Sequence, residues 1–117
     1  MQISFKGKRV VVAGGSRGIG RSIALGFAEA GASVSVCARG QAGLDAVLAE
    51  IKALNVSAHA APCDLSDKAA IAAYIEAAAQ ALGGIDILVN NASGFGGGDT
   101  EDGWKRALEW FKANGVA

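Results

Sequence analysis

The chain has 117 residues, 51% of them hydrophobic, with 11 lysines and arginines against 11 aspartates and glutamates. That length suits one domain able to bury a core unaided, and the even charge balance, with a pI near 6.5, argues against nucleic-acid or anionic-membrane binding, which needs a dense basic footprint. No apolar run is long enough to span a membrane, and the N-terminal "MQISFKGKRVVV" has neither the apolar stretch nor the cleavage site of a secretory signal, so a cytoplasmic location is expected.

Two periodicities alternate along the chain. Residues 9–13 read as a short buried strand, after which Ile19, Ile23 and Phe27 recur at helical spacing until Gly31 ends the helix. Residues 33–37, "SVSVC", alternate by twos as a second strand, and Leu44, Val47, Leu48 and Ile51 mark the apolar face of a second helix. A weaker third strand is expected over 56–60. Ser66 is expected to cap a third helix carrying Ile71, Tyr74, Ile75, Ala78 and Leu82, which stops at Gly83 and Gly84. "IDILVN", residues 85–90, reads as a fourth strand, and a glycine-rich loop then leads to a last helix. Thr100 would cap that helix, Trp104, Ala107, Leu108 and Phe111 would form its apolar face, and Asn114 and Gly115 would end it.

Cys37 and Cys63 show no metal-binding spacing, and His59 is the single histidine, so no zinc site is expected. Both cysteines read as small buried hydrophobes at strand ends, and His59 as a strand residue on a polar face.

Strands that alternate with helices imply crossover connections and a parallel sheet, with the solidly apolar first and fourth strands buried on both faces. The expected fold is therefore α/β: a single domain over residues 1–117, with a doubly wound parallel sheet in three α/β/α layers and strand order 3-2-1-4.

In such a sheet a ligand settles at the carboxyl ends of the strands where the order reverses, between strands one and four. The turn "GGSRGIG", residues 14–20, falls there. Gly14 permits the tight turn, Gly18 lets the backbone approach a diphosphate, and Gly20 lets the helix pack on the strand. Amides around Ile19 then face the phosphates from the positive end of a helix dipole. Selectivity is set at the end of the second strand. No acidic residue occurs from Ala30 to Leu44, where a carboxylate would hold an unphosphorylated ribose; Arg39 stands there instead. A guanidinium pairs with a 2'-phosphate through charge-assisted hydrogen bonds, and Arg17, beside Ser16 in the turn, can reach the same phosphate, which favours NADP(H) over NAD(H).

"AGGSRGIG", "CDLSD" and "ILVNNAS" together resemble the glycine turn, the acidic site after the third strand and the NNAG segment of the short-chain dehydrogenase/reductase family, up to about Leu108. The resemblance implies a Rossmann-like fold, with Asp64 next to the adenine, Leu65 beside it, and Asn90, Asn91 and Ala92 lining the cofactor and steadying the central sheet. Ser93 departs from the family's glycine, and the family's asparagine position on the following helix falls at Phe111, three residues before Asn114.

Family members run more than twice as far and use a later serine and a tyrosine followed four residues on by lysine. In this chain the residue four after Tyr74 is Ala78, so Tyr74 reads as a core residue and no catalytic residue is assigned. The resemblance thus implies the NADP(H)-binding half of an oxidoreductase, with a second chain or a further remainder supplying the catalytic half. A non-catalytic truncated or engineered binding or scaffold module is the alternative. A flavodoxin-type flavin binder fits less well, because Ser16 alone does not make the hydroxyl-rich phosphate loop it needs. Self-association, through the open edge of the fourth strand or by packing of the apolar last helix with Trp104 and Phe111, giving a homo-oligomer, is also expected.

Overall fold

A computed structural model describes residues 4–15, 18–64 and 66–91. The elements run β1 (Arg9–Ala13), α1 (Gly18–Glu29), β2 (Ser33–Ala38), α2 (Gln41–Lys52), β3 (Ala58–Pro62), α3 (Lys68–Leu82) and β4 (Ile87–Asn90). All strand pairs are parallel and the sheet order is β3-β2-β1-β4, as the alternation of periods requires. The expected last helix, with Thr100, Trp104, Phe111 and Asn114, lies outside the described residues, as does Ser93.

Side chains that alternate along β1 and β2 divide the core in two. Val10, Val12, Val34 and Val36 pack against Ala24 and Ala28 of α1 and Leu44, Val47 and Ile51 of α2. Val11, Ala13 and Cys37 pack against Ile71, Tyr74, Ile75, Ala78 and Ala79 of α3. These are the two outer layers of a three-layer sandwich. Fully burying an aliphatic side chain of this size contributes about 1.5–3 kcal/mol.

Several local expectations shift. The stripe of α1 that meets the sheet is Gly20, Ala24 and Ala28, whereas Ile23 and Phe27 are half-buried and Ile19 is 73% exposed. Small residues at i, i+4 and i+8 let this helix lie close to the strands, and the larger side chains are displaced to its flank. Leu48 and Leu82 are likewise half-buried at the rims of their helices. The third strand runs two residues later than the sequence suggests, because Asn55 turns the chain through a left-handed conformation, φ 62°, and the pairing with β2 begins at Val34 and Ala58. The fourth begins at Ile87 rather than 85. Ile85 is buried in the α3-side core, and Asp86 donates its N–H to the Arg9 carbonyl at 2.8 Å while its carboxylate binds the Arg9 guanidinium. The Arg9 side chain holds the Asp86 carboxyl down at about 2. Nor is β4 buried on both faces: all four of its residues are half-buried, since among the described residues β1 is its only neighbour in the sheet.

Helix α3 is capped by Asp67, not Ser66. Asp67 has extended backbone, φ −108° and ψ 111°, and its carboxylate accepts from the Ala69 N–H at 2.9 Å and the Ala70 N–H at 3.3 Å. Ser66 instead donates both its N–H and its hydroxyl to Asp64 Oδ1, at 3.0 and 2.7 Å. At the other end, Gly83 adopts the left-handed conformation, φ 86°, and returns its N–H to the Ala79 carbonyl. Asp67→Ala is expected to lower unfolding stability by about 0.5–2 kcal/mol in urea titration. Ser66→Ala should leave it within roughly 0.5 kcal/mol of the parent.

Candidate functional site

The site is built at the C-terminal tip of β1, flanked by the tips of β2 and β4. The chain leaves β1 through Gly14, whose φ of 81° suits glycine, and the amides of Gly14 and Gly15 both donate to the Cys37 carbonyl of β2, at 2.8 and 3.2 Å. This pins the turn to the neighbouring strand. A Cβ at Gly15 would stand 2.7 Å from Val36 Cγ1, and one at Gly20 would stand 2.0 Å from the Gly14 carbonyl oxygen. Gly20 is therefore the point at which α1 meets the turn it emerged from.

Gly18 opens the helix with φ 62°, and no described heavy atom lies within 4 Å of where its Cβ would be. The first amides of α1 and the exposed Ile19 side chain stand at this open corner. On the opposite flank, Asn91 donates its backbone N–H to the Ala13 carbonyl at 2.9 Å and its Nδ2 to the Gly14 carbonyl at 3.5 Å, tying the tip of β4 to the turn. Asn90 is the last residue of β4 and pairs in register with Ala13. Arg39 is exposed just past β2, and Asp64 is exposed just past β3. The Asp64 carboxyl is held below its usual range chiefly by the Ser66 hydroxyl and N–H, with the Arg39 charge also lowering it.

The fold thus brings Gly14, Gly18, Ile19, Gly20, Asn90 and Asn91 together around the tips of β1 and β4, with Arg39 and Asp64 at the tips of β2 and β3. Ser16, Arg17, Leu65 and Ala92 lie outside the described residues. Sequence reasoning missed Gly15, whose signal was its place directly after Gly14, and the polar group under α3. There Ser35, fully buried in mid-strand, hydrogen-bonds His59 Nδ1 at 2.8 Å and the Tyr74 hydroxyl, while the His59 and Tyr74 rings stack with centroids 5.9 Å apart. Tyr74 is a core residue, as its helical spacing implies, and its hydroxyl serves this group away from the strand tips. His59 is a half-buried residue of β3 on the polar face it shares with Ser35 and Tyr74. Both cysteines are buried free thiols. Among the described residues no three His, Cys, Asp or Glu side chains gather as a metal site, and no helix is long and apolar enough to cross a membrane.

The parallel 3-2-1-4 sheet with a glycine turn between its first strand and helix defines a Rossmann-like α/β domain. Residues 8–111 match the short chain dehydrogenase family, and the chain belongs to it. It is 47% identical over 92 residues to an uncharacterized oxidoreductase of Mycobacterium bovis, covering 76% of this chain and 27% of that protein. It is 42% identical to the L-rhamnose 1-dehydrogenase (NADP(+)) of Thermoplasma acidophilum, over 77% of this chain and 36% of the relative. The crystal structure of a short chain dehydrogenase from Burkholderia cenocepacia J2315 in complex with NADP superposes with a TM-score of 0.83 at 34% identity, covering 90% of this chain and 51% of that one. The chain therefore spans about a third or less of these curated relatives and about half of that solved structure.

Burial lowers the His59 pKa below its ordinary 6.5. Between the two values the unfolded chain binds a proton that the folded chain refuses, so stability is complete above about pH 7 and falls as the pH drops through 6.5. Urea midpoints measured from about pH 8 to 5 should decline along this limb, and His59→Gln should flatten it.

Proposed function

We propose that the chain is the NADP(H)-binding part of a short-chain dehydrogenase/reductase oxidoreductase, acting on a carbonyl or alcohol substrate. The observation that carries this reading is the exposed, left-handed Gly18, which heads α1 beside the tip of β1 and leaves the helix's first amides accessible to a diphosphate. The residues present fit that group. Gly14, Gly18 and Gly20 shape the backbone cradle, Ile19 borders it, and Asn90 and Asn91 line its far side; the family resemblance adds Ser16 and Ala92 to the same site. Asp64 and Leu65 take the adenine. Arg39, with Arg17, takes the 2'-phosphate that a carboxylate at the end of β2 would repel. The neighbour solved with NADP and the relative whose name carries NADP(+) support the same choice of cofactor.

When bound, the nicotinamide supplies hydride transfer. The chain's own residues bind and orient; in the family a later serine, tyrosine and lysine move the proton at the substrate oxygen, and no described residue is assigned that step. The half-buried β4 edge also supports self-association.

Fluorescence titration should give tighter binding of NADPH than of NADH. Arg39→Ala should weaken NADPH by roughly 1.5–3 kcal/mol, about ten- to a hundredfold, and leave NADH nearly unchanged. Equal, weak binding of both cofactors by the parent protein would overturn the reading. Light scattering should show a mass that rises with concentration, and a monomer mass at every concentration would remove the self-association.

A further inference from the structure

The tips of β2 and β3 carry a feature that cofactor binding does not use. Cys37, the fifth residue of β2, is fully buried, and Cys63, directly after β3, keeps 4% of its surface exposed. Both are free, and both belong to the core cluster beneath α3. Cys37 pairs in register with Ala61, and the Cys63 N–H donates to the Ala38 carbonyl at 3.0 Å. The two cysteines are therefore diagonal neighbours on one face of adjacent parallel strands.

Interaction with Cys37 lowers the Cys63 thiol below its usual range, against burial and the nearby Asp64 and Asp67 carboxylates, which push it up. Interaction with Cys63, together with burial, raises the Cys37 thiol. Of the pair, Cys63 has the lowered thiol and the only exposed surface, which marks it as the attacking sulfur.

We propose that Cys37 and Cys63 form an oxidisable dithiol which, on reaction with a peroxide, closes to a disulfide and displaces Asp64 from the nucleotide site. The Cys63 thiolate attacks a peroxide oxygen; the S–O bond forms as the O–O bond breaks, and the departing hydroxide takes up the proton that Cys63 lost. The Cys37 sulfur then attacks the Cys63 sulfenic acid, the S–S bond forms as the S–O bond breaks, and hydroxide leaves with the Cys37 proton. Two thiols are oxidised by two electrons in all, and hydrogen peroxide is reduced to two waters. In a regular parallel ladder, diagonal neighbours stand about 8 Å apart at Cα, beyond the roughly 7 Å that a disulfide spans without backbone movement. Closure therefore draws Cys63 toward β2 and carries Asp64, next in the chain, out of its turn with Ser66. A bond closed against such strain is readily reduced again, which makes the change reversible. The thiol chemistry stands independently of cofactor binding; only its effect on affinity rests on the function proposed above.

The test is to treat the protein with hydrogen peroxide, alkylate it under denaturing conditions, and measure intact and peptide masses. The expected result is loss of both alkylatable thiols, a mass lower by two hydrogens, and a peptide linking Cys37 to Cys63, all reversed by dithiothreitol. Cys37→Ser should instead stop at a Cys63 sulfenic acid that dimedone traps. Sulfinic acid at Cys63 beside a free Cys37, or two untouched thiols, would overturn the proposal. Amide resonances of Asp64 and Ser66 should shift on oxidation whatever the cofactor does, and unchanged resonances would overturn the displacement. The oxidised protein should bind NADPH about tenfold more weakly; equal affinity in both states would also count against it. Failure of the reduced protein to bind NADPH would instead overturn the function proposed above, while the masses and resonances still decide the dithiol.

Discussion

A methyl group at position 20 would lie 2.0 Å from the Gly14 carbonyl oxygen, and the rest of the molecule is arranged around that forbidden contact. Because residue 20 has no side chain, α1 starts within touching distance of the turn that ends β1. The same close approach continues along Ala24 and Ala28, both essentially buried. It brings the helix axis toward the sheet and leaves its first amides beside the strand tips, where nothing in the described structure covers Gly18. Asn91 completes the corner by bonding to Ala13 and Gly14, so the turn is held from β2 on one side and from β4 on the other.

The two faces of the sheet are held by different chemistry. Against α1 the contacts are small, as suits a helix pressed close, and against α2 they are larger and aliphatic, from Leu44, Val47 and Ile51. Against α3 the strands present Ser35, Cys37 and His59, answered by Tyr74, which fills the space with a ring and satisfies the buried serine with its hydroxyl. A buried hydroxyl without a partner costs about 1–3 kcal/mol. Ser35, Tyr74 and His59 are consequently a linked set, and substitutions within it are not expected to be additive. The two cysteines continue this face to the C-terminal tips of β2 and β3, next to Asp64.

Membership of the short chain dehydrogenase family covers all the described strands and helices and the glycine turn, and the chain spans about half the length of the solved relative that carries NADP. Holding an anion through backbone amides needs bare glycines at a helix start, as at Gly18 and Gly20, whereas moving a proton near neutral pH needs a tyrosine with a lowered pKa. Tyr74 has the reverse: burial, the largest influence, raises its pKa well above normal.

The alternation of apolar periods determined the element order, the parallel sheet and its 3-2-1-4 sequence of strands, since helices between strands leave few other ways to bury both faces of a sheet. The glycine turn was equally legible, because positive φ at Gly14 and Gly18 and the close approach at Gly20 favour residues without a side chain. What the periodicity could not decide was which side of a helix meets the sheet when small residues compete with large ones. Ile19, Ile23 and Phe27 have the greater hydrophobicity, but Gly20, Ala24 and Ala28 permit the closer contact, and only the packed structure decides between them. The same holds for Asp67 over Ser66 as the cap of α3. Both can accept from a helix amide, and the choice follows from Ser66 already being bound to Asp64. The partnership of Ser35 with His59 and Tyr74, at separations of 24 and 39 residues, leaves no local trace in the chain at all, because it is created when three elements distant in sequence are brought onto one face of the sheet.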